Sequence, residues 1–289
     1  MTGGRWELLR ALGAVADNPA DAGTASRALA LPGPGRAEHT EVFVLNCPPY
    51  ASVYLGAEGA LGGEAADRAA GFWRAIGLAP PAEPDHLTAL LGLYASLGEA
   101  AQDSRRPATA DALTRARHAL LAEHLWPWLP GYLDAVADLG TPALAGWARL
   151  AGQALLAEYR PHRSSQLPLA QRAAPPPVSA GCTHTDLLGA LTAPVRSGFI
   201  LTRRRLAAGA ADAGAGHRIG ERRFALRAMI EQAPAATLSW LGAEADHWSQ
   251  RHAAWAPGDP AQQWWARRAA HTGHVLRTAA TTASHHAVA

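Results

Sequence analysis

Glu83-Pro84-Asp85-His86 runs directly into Leu87-Thr-Ala-Leu-Leu-Gly-Leu-Tyr-Ala-Ser-Leu97, and the reading of this stretch decides the fold. Leu87, Leu90, Leu91, Tyr94 and Leu97 recur three and four residues apart, the spacing of one apolar stripe on a helix that packs on a single side. The acidic, proline-bearing lead predicts that this helix opens at Glu83–Asp85, with proline at the first position and acids at the positive end of the dipole. The same period recurs on both sides. Trp6, Leu9, Leu12 and Val15 line a first helix, and Ala66, Ala69, Ala70, Trp73 and Ile76 line another that ends at Gly77. A third runs from Asp111 through Leu120 and Leu121 to His124 and is broken by Pro127. Thr141-Pro142 opens a fourth, through Leu144, Trp147, Ala151 and Leu155 to Tyr159. Only Glu41–Leu45 reads as a strand. One strand makes no sheet, so it is expected to be an extended segment leading into Cys47-Pro-Pro-Tyr50. The expected fold is all-α, a helical bundle followed by an additional basic helical unit.

Composition agrees. Of 289 residues about a quarter are alanine, the strongest helix former and a residue depleted from strands. Lysine is absent, so all 26 basic residues are arginine, which excludes a Schiff-base or P-loop lysine. Two cysteines, Cys47 and Cys182, are too few for a disulfide scaffold or an iron–sulfur site. The N-terminus lacks the uncharged apolar core of a signal peptide and no run approaches 18 apolar residues, so a cytoplasmic protein with no membrane span is expected. The expected organisation is a bundle over residues 1–163, a proline-rich linker over 164–180 and a helical region over 181–289. The charge is split: residues 1–180 carry 14 Arg against 17 Asp and Glu, a net −3, and residues 181–289 carry 12 Arg against 7 acids, a net +5.

Enzyme chemistry finds no footing. There is no Gly-x-Ser-x-Gly elbow, and the glycine-rich pieces at 56–63 and 209–220 do not follow a strand. For metals, His271 and His274 stand at helical spacing, His285-His286 lie in a polar tail, and Cys182, His184 and Asp186 alternate. None of these sets has the three or four converging ligands a zinc site needs, so no metal and no cofactor are expected. Thr202–Gly214 and Gly220–Arg227 suit two helices of a DNA-binding pair, with Arg203, Arg204, Arg205, Arg222, Arg223 and Arg227 as phosphate contacts. In a lysine-free chain, however, every basic surface residue is arginine, and the connection is long for that motif. A nucleic-acid-binding protein therefore stands only as an alternative.

The ordered series Pro49-Tyr-Ala-Ser-Val-Tyr54, Gly71-Phe-Trp73, Glu83-Pro-Asp-His86 and His124-Leu125-x-x-Trp128 resembles the TorD/DmsD family of cytoplasmic redox-enzyme maturation chaperones, related to the nitrate reductase delta-subunit chaperones. The resemblance covers roughly residues 5–160. It implies a non-enzymatic chaperone that binds the twin-arginine leader and the apo-form of a molybdenum-cofactor oxidoreductase before export. It assigns leader binding to Glu83, Pro84, Asp85, His86, His124, Leu125 and Trp128, with Trp73 at a position the family fills with an aromatic. The chemistry agrees: guanidinium groups call for carboxylates such as Asp85 and Glu83, and an apolar leader calls for a groove lined by Trp73, Tyr94, Trp126 and Trp128. For each single residue a structural role stays open: Asp85 as a helix cap, His86 bonded to a neighbouring helix, the tryptophans as core. The arginines at 203–205, 222, 223 and 227 are expected to supply a second contact to the client. A stable accessory subunit of a redox enzyme is a further alternative, and a monomer and a domain-swapped dimer both remain open.

Overall fold

A computed structural model of the chain describes residues 3–288 except 140, 217 and 219, with side chains described as far as Ser284. Among these residues the fold is all-α, with sixteen α-helices and no strand. Its contacts divide into two units, Met1–Ser52 with Leu61–Ala170, and Val53–Ala60 with Gln171–Ala289.

The first unit opens with α1 (Gly3–Asp17), α2 (Pro19–Ala28) and α3 (Arg36–His39). Asn18 caps α2, its side-chain oxygen accepting from the amides of Ala20 and Asp21. The segment read as extended is instead a π-helical turn, Thr40–Asn46, closed by the Cys47 amide donating to the Val42 carbonyl at 2.7 Å. Val42 and Phe43 point inward together while Val44 and Leu45 point outward together, a helical grouping where a strand would alternate. The Asn46 amide ties the turn by donating to the Glu41 carbonyl at 2.8 Å. After α4 (Ala51–Leu55) come α5 (Gly63–Ala75), α6 (Leu87–Asp103), α7 (Pro107–Leu120), α8 (Leu129–Asp138), α9 (Pro142–Tyr159) and the short α10 (Leu169–Arg172).

Two helix starts differ from the sequence reading. Pro107, not Asp111, opens α7, since its missing N–H costs nothing in a first turn. α6 begins at Leu87, with His86 as its N-cap, so Glu83-Pro84-Asp85 forms a turn ahead of the helix. The core of this unit lies where α1 packs on α6 and α8 on α9: Trp6, Leu9, Leu12 and Val15 meet Leu87, Leu90, Leu91 and Tyr94, with Trp147 and Leu155 beyond. Gly98 makes the α1–α6 approach feasible, because a Cβ there would fall 2.3 Å from the Trp6 ring.

The second unit holds α11 (His184–Thr192), α12 (Pro194–Ser197), α13 (Arg203–Asp212), α14 (Arg222–Gln232), α15 (Pro234–Trp255) and α16 (Pro260–Val288). Local chemistry sets their starts. Thr183 and Thr202 accept from the amides three residues on, and Asp259 accepts from the Gln262 amide at 3.1 Å. α15 and α16 pair as a long hairpin of helices whose interface buries Leu241, Ala245, Trp248, Trp265, Ala269 and Leu276. Gly209 does for this unit what Gly98 does for the first: a Cβ there would strike the Trp240 ring at 2.2 Å. The proline-rich stretch follows α16 closely. Gln171 donates to the Ala261 carbonyl at 3.0 Å, Arg268 to that of Pro175 at 2.7 Å, and the His271 ring bonds that of Val178 at 2.8 Å.

Candidate functional site

The Glu83–His86 turn is built by contacts to residues far away in sequence. Asp85 is buried, and its Oδ2 accepts from the Ser52 amide at 2.8 Å, so the carboxylate caps the first turn of α4. Its own carbonyl accepts from the Ala51 amide at 3.1 Å, and the Leu87 amide donates to the Pro49 carbonyl at 2.8 Å. These bonds lay Tyr50 antiparallel beside His86, their rings 4.7 Å apart and edge to face. The cap of α6 comes from the His86 ring, whose Nδ1 accepts from the Thr88 amide at 3.2 Å. Nδ1 can accept only when unprotonated, and burial holds His86 below the usual histidine pKa against the opposing pull of Asp17, Glu83 and Asp85. The 3.9 Å approach of Asp17 to Nδ1 is therefore a contact to a neutral ring, not an ion pair.

Around this buried pair lies a partly exposed rim. Glu83 and Asp17 are exposed, and Tyr50, Trp73 and Pro84 are half-buried. The Trp73 indole donates to the Pro84 carbonyl at 3.3 Å and so fixes the outer wall of the turn. Burial, the hydrogen bond to Glu83, and the nearby carboxylates of Asp85 and Asp17 push the Tyr50 hydroxyl up to about 12. Three carboxylates thus gather around one tyrosine and one neutral histidine, with two of them open to solvent.

The second motif sits elsewhere in its own local geometry. His124 and Leu125 end a π-helical turn, Leu121–Leu125, that continues α7 and stops ahead of Pro127. His124 is half-buried against Phe72, and burial with the nearby Arg68 lowers it to about 4. The Trp128 indole donates to the His124 carbonyl at 2.8 Å. The groove expected from Tyr94, Trp126 and Trp128 is not open: all three, and Leu125, are core residues. Trp126 stacks on Tyr159 at 3.8 Å, and Trp128 packs on Tyr132. Of the expected aromatic wall only Trp73 stays accessible. Large apolar side chains favour the interior, and the helical period marks a buried stripe without telling it from a lined groove.

Two polar features escaped the sequence reading. Glu158, buried at the end of α9, is forked by Arg5, accepts from the Tyr94 hydroxyl at 2.7 Å and lies 3.9 Å from Arg117. Arg117 in turn sits over the Trp6 and Tyr94 rings. Beside this group is a void of about 20 Å³ walled mainly by leucines, room for one water and too small for a ligand. A lone glutamate in an apolar run was the available signal.

In the second unit, several of the six expected arginines are held by the protein. Arg205 pairs with Glu244 at 2.6 Å, Arg222 donates to the Leu201 carbonyl at 3.2 Å, and Arg223 to that of Thr185 at 3.1 Å. Arg203, Arg204 and Arg227 are exposed. Among the described residues no three His, Cys, Asp or Glu side chains gather as a metal site; the side chains of His285 and His286 lie outside the described residues. No described helix is long and apolar enough to cross a membrane.

The buried Asp85–His86 turn, tied to Pro49–Ser52 and followed by the π-turn of His124, is the segment on which comparison with known proteins bears. A family model described as the nitrate reductase delta subunit matches residues 12–134. That segment is similar to the nitrate reductase delta-subunit family. The match takes in both motifs and the rim, and it ends before Gln171, where the longer stretch of the second unit begins. The nitrate reductase delta-subunit family is one of redox-enzyme maturation chaperones, and its members are chaperones rather than enzymes. Comparisons with curated proteins and with solved structures gave no match.

Proposed function

We propose that this protein is a cytoplasmic chaperone for a molybdenum-cofactor oxidoreductase, and that the rim of Glu83, Asp17, Tyr50 and Trp73 receives the paired arginines of the client's leader. The observation that carries the reading is the gathering of two solvent-open carboxylates beside two half-buried aromatics on a buried, hydrogen-bonded turn. A guanidinium asks for both: a carboxylate that accepts two parallel hydrogen bonds and a ring face for its plane. Asp85 and His86 are positioning residues in this scheme. Asp85 is already occupied by the Ser52 amide, and it holds the turn that presents Glu83.

The test is calorimetric titration of the full chain with a synthetic leader bearing two arginines and with the same peptide bearing two lysines. The arginine peptide is expected to bind tighter, and Glu83→Gln and Asp17→Asn are each expected to weaken it by about 1–3 kcal/mol, roughly 5- to 150-fold. Equal affinity for both peptides, or unchanged affinity in both variants, would overturn the assignment of the rim. A pull-down from the native host in which the captured protein is not, by its sequence, a molybdenum-cofactor oxidoreductase would overturn the client class.

A further inference from the structure

We infer that the second unit contains a binding site for a dianionic phosphate, formed by Arg196 of α12 and Arg223 of α14 beside Gly189 of α11, with Arg268 of α16 close to Arg196. A Cβ built on Gly189 would lie 4.0 Å from Arg196 Nη1 and 4.0 Å from Arg223 Nη2, so the two guanidinium ends are at most twice that distance apart. One phosphate bridging them would accept a hydrogen bond of about 2.8 Å from each, a reach that suits this separation. Arg268 lies within electrostatic range of Arg196, and no carboxylate among the described residues is within ion-pairing distance of any of the three.

What these arginines do have is neutral. Arg223 donates to the Thr185 carbonyl, and Arg268 Nη1 to those of Pro175 and Val195 at 2.7 and 2.6 Å. The Nε atoms of Arg196 and Arg223 are buried with no hydrogen-bond acceptor. Backbone carbonyls orient a guanidinium without cancelling its charge, and like charges held this close with no counter-ion destabilise the fold. Burial and the nearby Arg196 lower Arg268 to about 10, the mark of a cation short of negative neighbours. The acid nearest Gly189 in sequence, Asp186, is engaged by the Thr183 hydroxyl at 2.6 Å. All three arginines are half-buried, so an anion reaches them from solvent, and they come from three helices, which makes the site a built one. Arginines also prefer phosphate over carboxylate where several converge, since a phosphate offers more acceptor oxygens and a second negative charge.

The test uses the full chain in thermal melts with inorganic phosphate, a sugar phosphate monoester, acetate and sodium chloride at matched ionic strength. Phosphate or its monoester is expected to raise Tm saturably by about 2–4 °C over chloride and acetate. The stronger of the two phosphates tells whether the site serves the free ion or a phosphorylated small molecule. Arg196→Gln with Arg223→Gln is expected to abolish the rise. Because that pair also relieves repulsion and removes a carbonyl contact, Gly189→Asp serves as the second variant: it puts a carboxylate between the guanidinium groups, raises Tm without phosphate and removes the response to it. A rise that chloride or acetate reproduces, or one that survives in both variants, would overturn the site.

Discussion

The two units handle arginine in opposite ways. In the first, Arg5 forks Glu158, Arg10 grips both oxygens of Glu99 at 2.6 and 2.5 Å, and Arg117 shares Glu158. In the second, Arg205 and Arg277 find Glu244 and Asp246, but Arg196, Arg223 and Arg268 are set against main-chain carbonyls or nothing acidic. The difference follows from supply: 17 acids serve 14 arginines before residue 181, and 7 serve 12 after it. A carboxylate completes an arginine, whereas a carbonyl only orients it. The first unit therefore spends its arginines on structure and leaves carboxylates at its rim, and the second leaves positive charge available for an anion.

The sharpest way to break this contrast is Glu158→Ala. It strips the counter-ion from the largely buried Arg117, and urea denaturation is expected to show a loss of about 3–5 kcal/mol. A loss below 1 kcal/mol would mean that water satisfies these arginines and that the first unit does not depend on pairing. Acid acts next, and in the second unit it acts through His252. His252 is buried with a ring nitrogen 3.0 Å from the Gly198 carbonyl, and burial lowers it from 6.5 to about 4. Since its folded pKa lies below the unfolded one, the unfolded chain binds the proton first. The stability it contributes is complete above pH 6.5 and is lost as pH falls toward 4, up to about 3 kcal/mol. His252→Asn is expected to flatten that limb of a stability-against-pH curve.

A smaller effect separates the positioning role of Asp85 from a direct one. Asp85→Ala removes the acceptor of the Ser52 amide and is expected to cost about 1–2 kcal/mol, while Asp85→Asn keeps an oxygen there and recovers most of it. If the asparagine variant keeps stability yet loses the arginine peptide, Asp85 touches the leader after all. The smallest effect belongs to the exposed Arg203 and Arg227: each glutamine variant should change stability by less than about 0.5 kcal/mol. A larger change would show that the second unit also depends on its surface arginines.

Much of the helix inventory was legible because its signals are local. Asn18, Thr183, Thr202 and Asp259 each cap within three residues, and Pro142, Pro234 and Pro260 each open a helix where a proline is harmless. The turn at Thr40–Asn46 was missed because Val-Phe-Val-Leu suits strand and helix alike at that length, and the Asn46 bond to Glu41 that closes the turn has no one-dimensional signature. The candidate site was legible by name more than by role. Glu83 and Trp73 lie at the rim, but Tyr94, Trp126 and Trp128 lie inside, and Asp17 and Tyr50 enter the rim from segments distant in sequence.

By itself, then, the sequence determined an all-α chain, the positions of most helices, the absence of lysine chemistry and the imbalance of charge on either side of residue 180. Those depend on composition and on contacts a few residues apart. Only the tertiary structure decided that Asp85 caps a helix 33 residues earlier, that three tryptophan and tyrosine side chains are core, and that Arg196 and Arg223 meet beside one glycine. Burial and charge pairing are properties of neighbours in space, and packing brings together residues that no period or spacing along the chain connects.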